Sequence, residues 1–105
     1  MRASGMAPLF AALGEETRLH LVTRLCREGP LSIARLSEDR AVTRQAITKH
    51  LGVLAEAGLV RARRRGRESV WEARPKRLDE ARRALDEISR QWDEALGRLR
   101  DFVEK

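Results

Sequence analysis

The C-terminal third of the chain carries an apolar repeat with a period of seven residues. Leu78, Leu85, Trp92 and Leu99 follow one another at this interval. A second apolar row stands three residues later and comprises Ala81, Ile88, Ala95 and Phe102, with Leu96 and Val103 beside it. This pattern predicts one long helix over 76–104 with a coiled-coil-like stripe. A small domain cannot cover a stripe of about four heptads by itself, so we expect this helix to pack against a second copy of the chain.

The length and composition suit one small domain over 1–105. Apolar residues make up 42% of the 105 residues, which is enough to fill a modest core. No apolar run approaches the ~18 residues of a membrane span, and the first residues do not resemble a secretory signal. A single cysteine, Cys26, excludes an intramolecular disulfide and a cysteine-rich zinc site. We therefore expect a cytoplasmic protein with no membrane partner.

Two helices are predicted near the start of the chain. Apolar residues at helical spacing favour a short helix over 8–13, which Gly14 ends. A second helix begins at Glu15, where an acid suits the positive end of the helix dipole, and it ends at Gly29. Its buried face is expected to consist of residues three and four apart, namely Leu19, Val22, Leu25 and Cys26.

Two more helices follow, and the second has a distinctive surface. Ser32 is a suitable N-cap for a short helix that fades over 39–41, and Thr43 caps a longer helix that ends before Gly58. The inner face of the longer helix is apolar and consists of Ile47, Leu51 and Leu54. No acidic residue occurs over 40–55, so the outer face of this helix is neutral or cationic.

The pattern then changes to the alternation of a β-hairpin. Strands over 59–65 and 69–74 are predicted on either side of a turn at 65–68. The net charge of the chain is +6, and residues 61–77, with eight basic and two acidic side chains, also sum to +6. Such a segment attracts polyanions, because each neutralised phosphate releases condensed counterions. A solvated charged loop is the alternative interpretation.

Three stretches of the chain form recognisable motifs. They are Leu-Gly-Glu-Glu-Thr-Arg-Leu at 13–19, Thr-Arg-Gln-Ala-Ile-Thr-Lys-His-Leu-Gly-Val-Leu at 43–54, and Glu-Ala-Gly-Leu-Val at 56–60 with Arg-Gly-Arg at 65–67. Together they resemble the opening, the recognition helix and the wing of the ArsR/SmtB family of winged-helix repressors. The resemblance covers about residues 6–104 and implies a mainly α fold with a small β-hairpin, a winged helix-turn-helix.

The resemblance implies a DNA-binding core over 6–75, with a wing at 59–74, that binds an inverted repeat as a homodimer. The recognition helix, 43–55, suits the major groove because its first turns present polar side chains to base edges. The expected DNA-binding residues are Ser32, Thr43, Arg44, Gln45, Thr48, Lys49, His50, Arg63, Arg64, Arg65 and Arg67. Lys49 and the hairpin arginines suit phosphates. His50 borders the apolar face, so a packed, hydrogen-bonded histidine is the alternative.

The resemblance also implies that the first and last helices form the dimer interface. The expected interface residues are Leu9, Phe10, Leu78, Leu85, Ile88, Trp92, Leu96, Leu99 and Phe102. Two protomers held in this way would present their recognition helices to successive major grooves. A dimer bound across a promoter would then repress transcription by occlusion.

Metal ligands of the family are missing from the matching positions. Residues 35–39 contain no thiol, and no histidine follows His50. Soft and borderline metals need thiolate or imidazole ligands, so we expect no metal and no cofactor, as in the family's branch without metal ligands. Cys26 is expected to be a buried core residue. The inducing signal stays open between a small molecule, oxidation of Cys26, and none.

Three functions compete on the sequence. They are a sequence-specific transcriptional repressor, a non-specific or architectural nucleic-acid-binding protein, and a protein-interaction adapter built on a winged helix. The acid-free face of the recognition helix favours the first, because neither of the others requires it. An enzyme is not expected, because the chain has two histidines, no tyrosine and no glycine-rich phosphate loop after a strand.

Overall fold

The computed structural model describes residues 3–38 and 42–104 of the chain. A turn of 3-10 helix at Ala3–Met6 precedes five α-helices and one hairpin. The helices are α1 (Ala7–Leu13), α2 (Glu16–Glu28), α3 (Ile33–Leu36), α4 (Arg44–Glu56) and α5 (Pro75–Glu104), and strands β1 (Val60–Arg65) and β2 (Glu68–Ala73) lie between α4 and α5. The predicted fold class, mainly α with a small β-hairpin, is confirmed. The predicted fading of the third helix over 39–41 lies outside the described residues.

Local side-chain chemistry fixes where the helices begin and end. Oγ1 of Thr43 accepts a hydrogen bond from the backbone N–H of Ala46 at 3.1 Å. Oγ of Ser32 accepts one from the N–H of Arg35 at 3.2 Å. Both bonds satisfy amides that have no partner within the helix, so both predicted N-caps are confirmed. Gly58 follows α4 with a φ of +79°, a conformation that favours glycine.

The core lies between α1, α2, α4 and the start of β1. Its largest fully buried side chains are Leu9, Leu21, Leu36, Ile47, Leu51, Leu54, Leu59 and Val60. The predicted inner face of α4 is therefore confirmed. The assignment of Leu9 to the dimer interface is corrected, because its side chain is 0% exposed in one protomer and has no surface left to bury against a partner.

The buried face of α2 differs from the one expected. Leu21, Val22 and Leu25 are buried, whereas Leu19 is 52% exposed and Cys26 is exposed. The buried face is therefore rotated relative to the expected stripe, and α1, α4 and β2 are the elements that pack against this helix. The buried face also includes Arg24, whose Nε donates to Oε2 of Glu28 at 2.7 Å.

The sheet consists of the hairpin and one further bridge at its edge. Its register pairs Val60 with Ala73 and Arg65 with Glu68 around a two-residue turn. Leu31, which precedes α3, adds an isolated bridge to the outer edge of β2. The N–H groups of Leu31 and Trp71 donate to each other's carbonyls at 3.0 and 2.8 Å. The wing is thereby joined to the chain segment between α2 and α3.

One arginine connects the base of α5 to the rest of the protomer. Nε of Arg77 donates to the carbonyl of Ala57 at 3.1 Å, and Nη1 donates to Glu80 at 2.7 Å. Ala81 and Ala84 are the buried residues of α5, so only its first turns pack on the protomer's own core. A helix of 30 residues is about 45 Å long, and the part beyond Ala84 therefore extends away from the core.

Candidate nucleic-acid interface

The start of α4 is held rigidly against the core. Thr43 caps the helix, and Oγ1 of Thr48 donates to the carbonyl of Arg44 at 2.8 Å. Ile47 and Leu51 are fully buried on the opposite side. Because one face is fixed in the core, the side chains of the other face have defined positions on the surface.

The outer face of α4 presents neutral and cationic groups to solvent. Arg44, Gln45, Thr48 and Lys49 are all exposed. An open depression of about 390 Å³ is lined by Thr43, Gln45, Ala46 and Lys49. The positive end of the helix dipole adds to the charge of the two cations. These groups can donate hydrogen bonds to base edges and phosphates, and no carboxylate lies within the first three turns to repel a polyanion.

His50 faces the body of the protein. It is half-buried, and Nη1 of Arg18 lies 3.3 Å from its Nδ1. Oε2 of Glu15 lies 3.6 Å from the same nitrogen. The backbone N–H of Arg18 holds the pKa of Glu15 below its ordinary value, with His50 contributing less. The geometry favours the packed histidine, and the contact of His50 with DNA stays a prediction.

Ser32 stands apart from the outer face of α4. Its hydroxyl oxygen is engaged at the start of α3, and the residue is half-buried. Its contact with DNA stays a prediction. A hydroxyl that accepts from a backbone amide still has a proton to donate, so the cap and a phosphate contact are compatible.

The wing contains two kinds of arginine. Arg64, Arg65 and Arg67 are exposed near the turn, and no ion pair involves them within the described ranges. Arg61 and Arg63 are instead paired with Glu72, at 2.9 and 3.2 Å. The hydrogen bond from Arg61 is the main cause that lowers the pKa of Glu72. Sequence reasoning assigned Arg63 to DNA but missed this pair, although the turn at 66–67 places Arg61 opposite Glu72.

The stripe predicted on α5 is largely uncovered in one protomer. Leu85, Leu96, Leu99 and Phe102 are exposed, and Trp92 is 67% exposed. Leu78 and Ile88 are half-buried, as is Phe10 on α1. We call the exposed row Leu85, Trp92, Leu96, Leu99 and Phe102 the α5 stripe. Large apolar groups in such a row are typical of an interaction surface.

The environment of Cys26 differs from the one expected. The thiol is exposed, so the prediction of a core cysteine is wrong. It lines an open depression of about 300 Å³ together with Leu25, Glu72 and Leu78.

Within residues 3–38 and 42–104, no three His, Cys, Asp or Glu side chains come together as a metal site. Over the same ranges, no helix is both long and apolar enough to cross a membrane.

Comparison with known proteins places this arrangement in a family. A structure of an ArsR-like transcriptional regulator from Rhodococcus sp. RHA1 is similar, with a TM-score of 0.76 and 36% identity, over 94% of this chain and 92% of that one. An HTH-type transcriptional regulator of Mycobacterium tuberculosis is 40% identical over 87 residues, which are 83% of this chain and 78% of the relative. The chain belongs to the ArsR family of transcriptional regulators.

Other comparisons agree with this assignment. The transcriptional repressor BigR from Xylella fastidiosa is similar in structure, with a TM-score of 0.65 and 30% identity, over 83% of this chain and 88% of that one. No family model matches the chain. Because its relatives and structural neighbours are transcriptional regulators, this ArsR-family protein is a winged-helix transcriptional regulator and not an enzyme, as the sequence predicted.

Proposed function

We propose that this ArsR-family regulator is a dimeric, sequence-specific DNA-binding repressor that acts in the cytoplasm on an inverted-repeat operator. The observation that carries the proposal is the outer face of α4. Arg44, Gln45, Thr48 and Lys49 project from a helix whose other face is fixed in the core, and the first three turns carry no acidic residue. An exposed helix with this chemistry suits the major groove, where side chains near the helix N-terminus reach base edges.

Each exposed group has a distinct expected contact. Gln45 suits a bidentate pair with adenine, and Arg44 suits guanine or a phosphate. Lys49 and the wing-tip arginines Arg64, Arg65 and Arg67 suit phosphates beside the half-site. Recognition therefore divides into a base-reading part on α4 and a sequence-independent part on the wing.

The α5 stripe supports the proposed homodimer. A monomer would leave five large apolar side chains in water, and a second copy would cover them in a helix–helix contact. A two-fold dimer would present two copies of α4 to major grooves about 34 Å apart. Bound across a promoter, it would block access of the polymerase. An effector would act by favouring a spacing of the two helices that mismatches the grooves.

Selection of duplexes from a random pool by the purified protein, followed by fluorescence anisotropy, tests the proposal. We expect an inverted repeat to be enriched. Gln45→Ala should reduce the preference for that duplex over a scrambled one by about 1–3 kcal/mol for each of the two base contacts that the dimer loses. A matched Arg64→Ala change at the wing should weaken binding to both duplexes equally and make the salt dependence shallower by about 1.8, because each of the two protomers loses one phosphate contact.

Two outcomes would support other functions. Tight binding with no preference among duplexes at any salt concentration would indicate an architectural protein. Absence of DNA binding, together with a stoichiometric protein partner, would indicate an adapter. Enrichment of one inverted repeat contradicts both.

A further inference from the structure

The register of the hairpin brings one carboxylate between two arginines. Glu72 on β2 lies directly opposite Arg61 on β1, and Arg63 is its diagonal neighbour. All three side chains are on the same face of the hairpin, because they occupy alternate positions in this register. Cross-strand pairs of opposite charge at such positions stabilise a hairpin and hold each other's side chains in place.

The contacts show that the carboxylate is fully engaged. Nε of Arg61 donates to Oε1 of Glu72 at 2.9 Å, and Nη1 of Arg63 donates to Oε2 at 3.2 Å. The side chain of Glu72 is only 15% exposed, whereas those of Arg61 and Arg63 are 61% and 52% exposed. Both arginines are therefore largely exposed, while their guanidinium groups contact a carboxylate that is mostly shielded from solvent. The pKa of Glu72 lies below its ordinary value, so the carboxylate is ionised at neutral pH.

A phosphate has to compete with this carboxylate for the two arginines. Arg64, Arg65 and Arg67 have no such competitor within the residues that the structure describes. The affinity of a basic surface for DNA depends on how many phosphates its cations neutralise, because each one releases counterions. Arg61 and Arg63 are consequently less available for phosphate contacts than their sequence and exposure suggest.

We propose that Glu72 is a positioning residue that retains Arg61 and Arg63 in the wing and confines phosphate binding to the wing tip. It thereby sets both the strength and the salt dependence of DNA binding. This inference rests on the proposed function, since it concerns how the same wing engages DNA. Arg61 and Arg63 form a latent phosphate-binding site that loss of the carboxylate would open.

The test measures the slope of log K against log salt concentration. The probes are the duplex that the wild-type protein selects from a random pool and a scrambled duplex of the same composition. Glu72→Gln keeps the shape of the side chain but removes its charge. We expect it to steepen the slope by about 3.6, the value for two additional phosphates in each of the two protomers, on both duplexes.

A matched control separates release of the arginines from a change in net charge. Glu68→Gln alters the charge of the same hairpin equally, but Glu68 is exposed and makes no ion pair within the described ranges. We expect it to change the slope by less than about 1.8, the value for one phosphate in each protomer. Equal slopes for the two variants would overturn the role of Glu72.

A triple variant keeps the test decisive even where Glu72→Gln does not fold. Glu72→Gln with Arg61→Gln and Arg63→Gln removes the carboxylate and both arginines. We expect the wild-type slope, because Arg61 and Arg63 contact no phosphate in the wild-type protein and their removal therefore loses no phosphate contact. A slope shallower by about 3.6 would show that Arg61 and Arg63 already bind phosphates beside Glu72 in both protomers and would overturn the inference. Failure of the wild-type protein to bind any duplex would overturn the proposed function as well.

Discussion

Nη1 of Arg18 on α2 lies 3.3 Å from Nδ1 of His50 on α4. Oε2 of Glu15 lies 3.6 Å from the same nitrogen, so His50 stands between a cation of α2 and the acid that caps this helix. Nε of the same arginine donates to the carbonyl of Ala12 at 2.6 Å. Arg18 therefore contacts both α4 and the end of α1. His50 is the half-buried residue of α4 that takes part in this contact.

This contact predicts that His50 and Gln45 have separable effects. His50→Ala should lower the free energy of unfolding by about 1 kcal/mol, because it removes a partly buried hydrogen bond. Gln45→Ala should leave stability within about 0.5 kcal/mol, because the residue is exposed, and should reduce discrimination between duplexes. Urea unfolding and fluorescence anisotropy measure the two effects. If His50→Ala reduces discrimination between duplexes without reducing stability, His50 contacts DNA and the packed interpretation is wrong.

Stability should fall in acid. The pKa values of Glu15, Glu28 and Glu72 all lie below the ordinary value of 4.5. The main causes are hydrogen bonds from the backbone of Arg18 and from the side chains of Arg24 and Arg61, respectively. Because the unfolded chain binds protons more readily, this stabilisation is complete above pH 4.5 and is lost as the pH falls through the lowered values.

Thermal unfolding between pH 7 and pH 2.5, as a rough working range, measures this dependence. Replacement of all three glutamates by glutamine should flatten the curve below pH 4.5. If the triple variant loses as much stability in acid as the wild type does, groups other than these three glutamates cause the loss.

The α5 stripe should control association and DNA binding together. Trp92→Asp places a charge in the middle of the apolar row and should shift the protein toward a monomer. DNA affinity should fall with it, because two linked recognition helices are needed for two half-sites. Light scattering coupled to size-exclusion chromatography reports the mass. Gln91→Asp, one residue away and outside the stripe, should remain a dimer, and an unchanged dimer in Trp92→Asp would refute this interface.

Gly52 within α4 and Gly58 just after it should respond in opposite directions to replacement by alanine. Gly58 has a φ of +79°, so Gly58→Ala should destabilise the protein by about 1–2 kcal/mol. Gly52 lies inside α4, and no atom would contact an added Cβ within 4 Å. Gly52→Ala should therefore stabilise by up to about 1 kcal/mol. Equal signs in chemical unfolding would contradict the different roles assigned to the two positions.

Local chemistry determined most of the secondary structure. Thr43 and Ser32 cap helices, and Gly58 follows one. The spacing of apolar residues indicates which face of α4 is buried and which face of α5 carries the apolar stripe. All of these features depend on residues that are only a few positions apart. The acid-free outer face of α4 is likewise a property of the sequence. These features, together with the alternation of the hairpin and the resemblance to the ArsR/SmtB family, were sufficient to predict the winged-helix class and the candidate recognition helix.

Tertiary packing decided what neighbours in sequence do not specify. The rotation of α2 exposes Leu19 and Cys26, and the packing of α1 buries Leu9. The partner of His50 lies 32 positions away in the sequence. Which side of a short helix is buried depends on the elements that surround it, and a charged side chain pairs with whatever the fold brings near. For the same reason, only the folded hairpin shows that Arg63 is engaged by Glu72 while Arg64 faces solvent.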